Sequence, residues 1–508
     1  MSNSNTIIEV LEAGAAKAAA ISAPGRESLD YSGLRQQVKK TVAALNDLGI
    51  GRNDPVAMVL PNGPEMASAF VSVAAGATTA PLNPAYTAKE FEFYLTDLQA
   101  RLLLVQPDID TPVIGVAQQL GLEIAYLHFD PAGPAGVFEL AGESAGRSAN
   151  QAGFAESGDA ALVLHTSGTT SRPKIVPLTQ QNICASAANV ADSLALTPED
   201  HCLNIMPLFH IHGLIAAVLS SLSAGATVTC TPGFNALRFF AWLKEIDPSW
   251  YTAVPTMHQA ILARAPRNRE IIEAGRLRLI RSSSASLPPQ VMTAVEQTFA
   301  VPVIEAYGMT EAAHQMASNP LPPRDRYPGS VGVAAGPEIA IMDETGNLLP
   351  AGSIGEIVIR GANVTAGYQS NPEANAAAIT DGWFRTGDQG FLDEHGYLRL
   401  TDRLKEIINR GGEKISPREV DEVILDHPDV AQVVTFSMPH EKLGEDVAAA
   451  VVLTDGATLA EKELQNFVAE RLADFKVPRI ILFVDEIPKG ATGKLARIGL
   501  AEKLGLAG

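Results

Sequence analysis

Cysteine is scarce in this chain. Cys184, Cys202 and Cys230 are the only three in 508 residues. An odd set without metal-ligand spacing argues against a disulfide framework and for a reducing compartment. Basic residues are also short, with 38 Lys and Arg against 57 Asp and Glu and a net charge of −19. A surface so acidic repels phosphodiester backbones, so no nucleic-acid partner is expected, although a nucleotide feels its own pocket rather than the mean field. Long apolar runs are missing as well. The most apolar window, 214–230, is broken by three serines, two threonines and a glycine. It reads as a core helix followed by a strand, so no membrane insertion is expected. The first residues lack the basic region and apolar run of a secretory leader, and the last three, Leu506-Ala507-Gly508, are not a Ser-Lys-Leu address. The expectation is a cytoplasmic protein.

The remaining composition, 46% apolar and 19% charged, suits a globular chain of about two to four domains. Short apolar runs at 55–60, 102–106, 161–165, 226–231, 250–254, 277–281 and 301–306 read as buried strands. Between them, 179–195, 235–246 and 290–299 read as helices, with Thr179 and Asn235 as N-caps. This alternation predicts an α/β fold: a large N-terminal domain of mainly parallel sheets flanked by helices. Near residue 325 the texture changes to short strands separated by Gly, Pro and Asp-Glu-Thr-Gly turns, a β-rich subdomain at about 325–400. A small α+β C-terminal domain follows, with helical patterns at 417–425 and 459–473 and strands at 431–437, 448–453 and 480–484. The predicted boundary divides 1–402 from 403–508, with Asp402-Arg403-Leu404-Lys405 as the link.

The strongest chemical signal is His165-Thr-Ser-Gly-Thr-Thr-Ser-Arg-Pro-Lys174, an apolar strand running into a loop of hydroxyls and glycine closed by a lysine. Hydroxyls and bare N–H groups at a strand end can wrap phosphate oxygens, and the ammonium adds a point charge. On composition alone a Ser/Thr-rich surface turn is the competing reading. It is not a Walker loop, because Gly493-Lys494 is followed by Leu495.

Thr166–Lys174 resembles the phosphate-loop signature of the adenylate-forming superfamily of acyl- and aryl-CoA ligases, luciferases and peptide-synthetase adenylation domains. Further signatures follow in that family's order: Met206-Pro-Leu-Phe-His-Ile-His-Gly213, Tyr307-Gly-Met-Thr-Glu311, Phe384-Arg-Thr-Gly-Asp388, Asp402-Arg-Leu-Lys-Glu406, Gly411-Gly-Glu-Lys-Ile-Ser-Pro417 and Pro488-Lys-Gly-Ala-Thr-Gly-Lys494. Ser171 and Ile175 stand where the family usually has glycine.

The resemblance implies a two-step reaction: ATP activates a carboxylic acid as its acyl-adenylate, and coenzyme A then takes the acyl group. It implies ATP contacts at Thr166, Ser167, Gly168, Thr169, Thr170, Lys174, Ala285, Glu305, Ala306, Tyr307, Gly308, Thr310, Asp388, Arg403 and Lys494. Tyr307 would stack on adenine, Thr310 would reach the α-phosphate, and Asp388 with Arg403 would hold the ribose. Glu311 would hold Mg²⁺, a hard cation suited to carboxylate and phosphate oxygens. Lys494 would offset the repulsion between carboxylate and α-phosphate. His210 joins Lys494, Glu311 and Thr310 in the implied catalytic set. Between steps the C-terminal domain would swing about Lys405, bringing Gly411, Gly412 and Glu413 to the CoA tunnel. A solvated surface lysine is the alternative reading of Lys405.

The acyl pocket is expected to involve His210, the segment 281–286 and the residues after Glu311. Ser283-Ser284 replaces a Gly-Gly pair common in relatives, and His314 stands where small residues are common. Both shorten the pocket and add polar groups, which a long acyl chain would leave unpaired. A short acid with a second carboxylate would be held by His210, Ser284 and His314; a helix cap or core histidine is the alternative for His314. The stretch 307–322, with its histidine and Asn-Pro-Leu-Pro turn, and Pro328-Gly-Ser-Val-Gly332 resemble oxalyl-CoA synthetases of the 4-coumarate-ligase-like branch. Rival readings are a ligase for aryl or medium-chain acids, a module charging a carrier protein, and an inactive nucleotide binder. His210-Ile-His212 has no third ligand in its motif, which disfavours zinc. The expected oligomer is a monomer or homodimer.

Overall fold

The computed structural model describes residues 4–142, 148–166, 173–411, 413–489, 495 and 497–506, without the side chain of Asp402. Among the described residues the strands form a nine-stranded, a seven-stranded and two five-stranded sheets.

The nine-stranded sheet is parallel through its centre. Thr227–Cys230, His201–Asn204, Trp250–Ala253, Leu279–Ser282 and Val303–Met309 lie side by side in that order. Trp250–Ala253 and Leu279–Ser282 are buried at every position, Thr252, Arg281 and Ser282 included, as expected of central strands in a parallel sheet covered on both faces. At one edge the chain reverses, and His314–Ser318 pairs antiparallel with Val303–Met309. The seven-stranded sheet has a parallel centre of Glu123–His128, Leu102–Val105, Pro55–Val59, Thr78–Pro81 and Ala160–Thr166, closed by antiparallel Lys174–Thr179.

Most expected elements occur within a few residues of their predicted places. Helix Gln180–Ser193 is capped by Thr179, whose Oγ1 accepts the Asn182 N–H at 3.1 Å. Asn235 differs from expectation. Its side chain accepts from the N–H groups of Leu237 and Arg238, closing a turn that precedes the helix Phe239–Ile246. The apolar window resolves into a π-helical segment His212–Leu219, a short helix Ser220–Ser223 and the strand Thr227–Cys230. Its buried serines are satisfied locally, Ser220 and Ser221 donating to the carbonyls of Ala216 and Ala217 at 2.8 and 2.7 Å. No helix among the described residues is long and apolar enough to cross a membrane.

The β-rich region is a sheet of Glu338–Met342, Gly355–Arg360, Trp383–Leu392, Ile379–Thr380 and Leu398–Arg403. The C-terminal sheet contains Val430–His440, Gly444–Leu453 and Ile480–Phe483, with helices Pro417–Leu425 and Glu461–Ala469. These α/β, β-rich and α+β parts match the expected fold class. The C-terminal ends of the parallel strands Leu279–Ser282 and Val303–Met309 feed directly into the motifs at 283–287 and 307–311, the customary place for a ligand in an open α/β sheet.

Candidate active site

Strand Val303–Met309 carries Tyr307 to the sheet's end, and a 3₁₀ turn, Thr310–Ala312, places Glu311 just beyond. Tyr307 donates its hydroxyl proton to Asp388 Oδ2. Asp388 comes from the β-rich sheet, where it stands opposite Arg403 on the neighbouring strand. The Arg403 Nε lies 3.3 Å from Asp388 Oδ1. One carboxylate is therefore held by a phenol and a guanidinium, a fixed acceptor of the kind a ribose diol needs. Gly308 is required beside it: a Cβ there would sit 1.7 Å from the His314 carbonyl oxygen.

Glu311 is buried, and its Oε1 accepts the Tyr368 hydroxyl at 2.9 Å. Burial raises its pKa against the lowering effects of its hydrogen bonds and of Lys174. Lys174 Nζ lies over the Tyr368 ring, 4.4 Å from its centre. Lys174 also pairs across the hairpin with Thr166, so both ends of the Ser/Thr loop are fixed by strand register. The loop residues Ser167, Gly168, Thr169 and Thr170 lie outside the described residues, as do Gly412 and Lys494.

A second polar cluster lies at the end of the adjacent strand. His212, fully buried at the start of the π-helical segment, has Nδ1 2.9 Å from Ser284 Oγ and Nε2 2.6 Å from Thr252 Oγ1. The His314 ring stands edge-on to it at 5.1 Å between centres. The His210 Nδ1 accepts the His212 backbone N–H at 3.3 Å, which leaves Nε2 to carry the proton of a neutral His210. Behind His212 lies Arg281, completely buried. Its Nη1 is 3.4 Å from His212 Nε2, and its Nη2 donates to Gln315 at 3.2 Å. No carboxylate among the described residues forms an ion pair with it. Of the two adjacent serines, Ser283 turns away and donates to the Ala306 carbonyl at 2.8 Å. Ser284, half-buried and at φ +75°, holds its hydroxyl against His212.

Other expected site residues stand further out. Ala285 is exposed and lines a cavity of about 140 Å³ between the start of helix Pro255–Leu262 and helix Pro417–Leu425, beside Arg418, Asp421 and Arg497. Glu305 is buried, its Oε1 accepting the Leu287 N–H at 2.9 Å, and burial pushes its carboxyl up to about 7. Thr310 is half-buried next to Glu311. Gly411, at φ +62°, and Glu413 form an exposed hairpin tip, and no hydrogen bond or ion pair joins them to Tyr307, Asp388 or Glu311. Lys405 is exposed in the turn after Leu398–Arg403.

Residues 10–369 match the AMP-binding enzyme family, and residues 419–494 match the AMP-binding enzyme C-terminal domain. The chain belongs to the AMP-binding enzyme family. Within it, the chain is 46% identical over 484 residues to an oxalate–CoA ligase from Arabidopsis thaliana, covering 94% of each chain. It is 42% identical to an oxalate–CoA ligase from Saccharomyces cerevisiae, covering 89% of this chain and 87% of the relative. The crystal structure of ATP-bound MatB from Rhodopseudomonas palustris superimposes with a TM-score of 0.88 at 30% identity over 98% of both chains. The resemblance to adenylate-forming ligases drawn from the ordered motifs is thereby borne out.

Two residues of this AMP-binding enzyme, His212 and Tyr368, were not singled out from sequence as site residues, and Arg281 was expected only as part of the pocket segment 281–286. His212 lay in view inside Met206–Gly213 but was weighed only as a zinc ligand; both its ring nitrogens face hydroxyls. Arg281 stands within strand Leu279–Ser282, and a single charge there carries no local signal of its surroundings. Tyr368, 57 residues beyond Glu311, meets it only through the tertiary fold.

Proposed function

We propose that the protein is an AMP-forming oxalate–CoA ligase. An oxalate oxygen attacks the α-phosphorus of ATP, and pyrophosphate leaves with the electron pair of the broken P–O bond. The CoA sulfur then attacks the acyl carbon, and AMP departs with the oxygen it received. The observation that carries the choice of acid is the polar cluster around His212 at the end of strand Leu279–Ser282. His210 and Ser284 offer an imidazole N–H and a hydroxyl there, with His314 beside them. An apolar acyl tail offers these polar groups no hydrogen bond, and each polar group so buried beside it costs about 1–3 kcal/mol. The identity to two oxalate–CoA ligases supports the same reading.

In this scheme Asp388 and Arg403 hold the ribose, Tyr307 covers the adenine, and Thr166, Lys174 and the loop between them bind phosphates. Lys494 stabilises the charge that grows between carboxylate and α-phosphate. Glu311 fits a divalent cation, since its buried carboxylate, raised in pKa by burial, gains most from a compensating charge. Mg²⁺ would neutralise phosphate oxygens when bound. The C-terminal domain then turns about Lys405, and Gly411, Gly412 and Glu413 line the path of CoA. The protein acts as a monomer or homodimer in the cytoplasm.

A panel of oxalate, malonate, 4-coumarate and octanoate, read by pyrophosphate release with free CoA present, tests the proposal. Oxalate is expected to lead. A strong preference for 4-coumarate or octanoate would replace the acid, and transfer to a carrier protein but not to CoA would replace the acceptor. Oxalate labelled with heavy oxygen must deliver label to AMP; unlabelled AMP under turnover would end the adenylate mechanism.

A further inference from the structure

Among the described residues no carboxylate forms an ion pair with Arg281. This arginine is fully buried on strand Leu279–Ser282, its Nε has no hydrogen-bond partner, and its remaining contacts are the His212 ring and the Gln315 amide. Burial pushes the guanidinium down to about 9, so it stays charged near neutral pH. A buried charge left unpaired is costly.

Its neighbour is an imidazole with two possible neutral tautomers, and the two have opposite consequences. With the proton on Nε2, His212 would donate to Thr252, and Nδ1 would take the Ser284 hydroxyl proton. Ser284 would then show only lone pairs to the pocket, which repel a carboxylate. With the proton on Nδ1, His212 donates to Ser284 Oγ, and the Ser284 proton is released toward the pocket. An Arg281 N–H aimed at Nε2 from 3.4 Å opposes the first arrangement, because two N–H groups would face each other, and favours the second. The 2.6 Å Thr252 contact serves either way, since a hydroxyl can donate or accept.

We propose that Arg281 is a specificity-determining positioning residue: through His212 it turns the Ser284 hydroxyl into a donor for the second carboxylate of the acid. This rests on the oxalate reading above. Ser284 is the group that touches substrate, and Arg281 acts on it from behind.

The test compares wild type, Arg281→Met, Arg281→Lys, Ser284→Ala and the Arg281→Met/Ser284→Ala double variant by pyrophosphate release from ATP and oxalate. A donor lost to a charged group costs about tenfold or more in affinity. Arg281→Met is expected to raise the KM for oxalate by about tenfold with the KM for ATP unchanged, and Arg281→Lys to recover part of the loss. The double variant should be no worse than Ser284→Ala. Multiplying losses in the double variant, or equal losses for ATP and oxalate, would overturn the inference. In ¹⁵N-histidine-labelled wild type, the His212 signal, assigned by its absence in His212→Asn, should show a protonated Nδ1 and a bare Nε2. The reverse pattern overturns the inference even if Arg281→Met fails to fold. Wild type inert toward oxalate brings down the functional reading and this inference with it. Wild type active on oxalate, with Arg281→Met kinetics unchanged, brings down this inference alone.

Discussion

Arg497 places its Nε 3.2 Å from Glu406 Oε2, tying the segment just past Lys494 to the turn that contains Lys405. The same guanidinium reaches Asp421 Oδ2 at 2.7 Å, and Glu406 also faces Arg403 at 3.7 Å. Charges of alternating sign thus run from Asp388 through Arg403, Glu406 and Arg497 to Asp421. Asp421 is buried, and burial raises its carboxyl pKa against the pull of Arg497. Arg497→Met would leave that carboxylate uncompensated, at a cost of about 3–5 kcal/mol. Adding Asp421→Asn should recover most of the loss in denaturant unfolding of the full chain. The single variant should also suffer less at low pH, where Asp421 can protonate. Full additivity of the two substitutions would show that the pair does not act as a unit.

Glu305 gives a pH dependence of defined sign. Its carboxyl is raised from 4.5 to about 7 by burial. Between those values the folded protein holds a proton that the unfolded chain has released, so stability falls as pH rises through the window. The loss is complete above pH 7 and amounts to about 3 kcal/mol for a shift of this size. Glu305→Gln keeps the acceptor for the Leu287 N–H and removes the titration. Relative to wild type, the variant should gain stability between about pH 5 and pH 8. A constant difference in urea midpoints across that range would contradict the assignment.

The contrast between Tyr307 and Arg281 shows what could be read before folding. Tyr307, Asp388 and Arg403 sit in contiguous motifs, so their meeting could be expected although Asp388 lies 81 residues from Tyr307. Buried parallel strands were legible because residues such as 102–105 are apolar at every position. Helix Pro417–Leu425 was legible because its apolar stripe and proline start agree. The Asn235 cap misled because an Asn side chain closes a turn as readily as it caps a helix. The tautomer network of His212 depends on Thr252 and on the segment carrying Arg281 and Ser284 arriving from two distant places in the chain, and no local pattern encodes that.

On the proposed scheme the two half-reactions would separate two lysines. Lys494→Ala is expected to lower adenylate formation by about a hundredfold or more, the scale of removing a group that stabilises transition-state charge. Thioester formation from chemically prepared oxalyl-adenylate should be largely spared. Lys405→Pro should do the opposite: the fixed φ of proline stiffens the exposed turn after Leu398–Arg403, sparing pyrophosphate release and blocking transfer to CoA. Equal loss of both halves in either variant would remove the division of labour.

His314 holds a backbone at φ +111°, in the left-handed region, with its ring against His212 and its carbonyl oxygen pressed on Gly308. A side-chain role and a backbone role can therefore be told apart by two substitutions. His314→Ala and His314→Gly both delete the ring, and both should raise the KM for oxalate by about tenfold while admitting a longer monoacid. Glycine adopts this backbone freely and alanine does not, so His314→Gly should be the more stable of the two by about 1 kcal/mol. Matched oxalate defects with unequal melting temperatures would assign substrate recognition to the imidazole and strain to the chain. If oxalate kinetics instead followed the melting temperatures, with glycine restoring activity, His314 would be a structural residue and the pocket's selectivity would rest on His210 and Ser284.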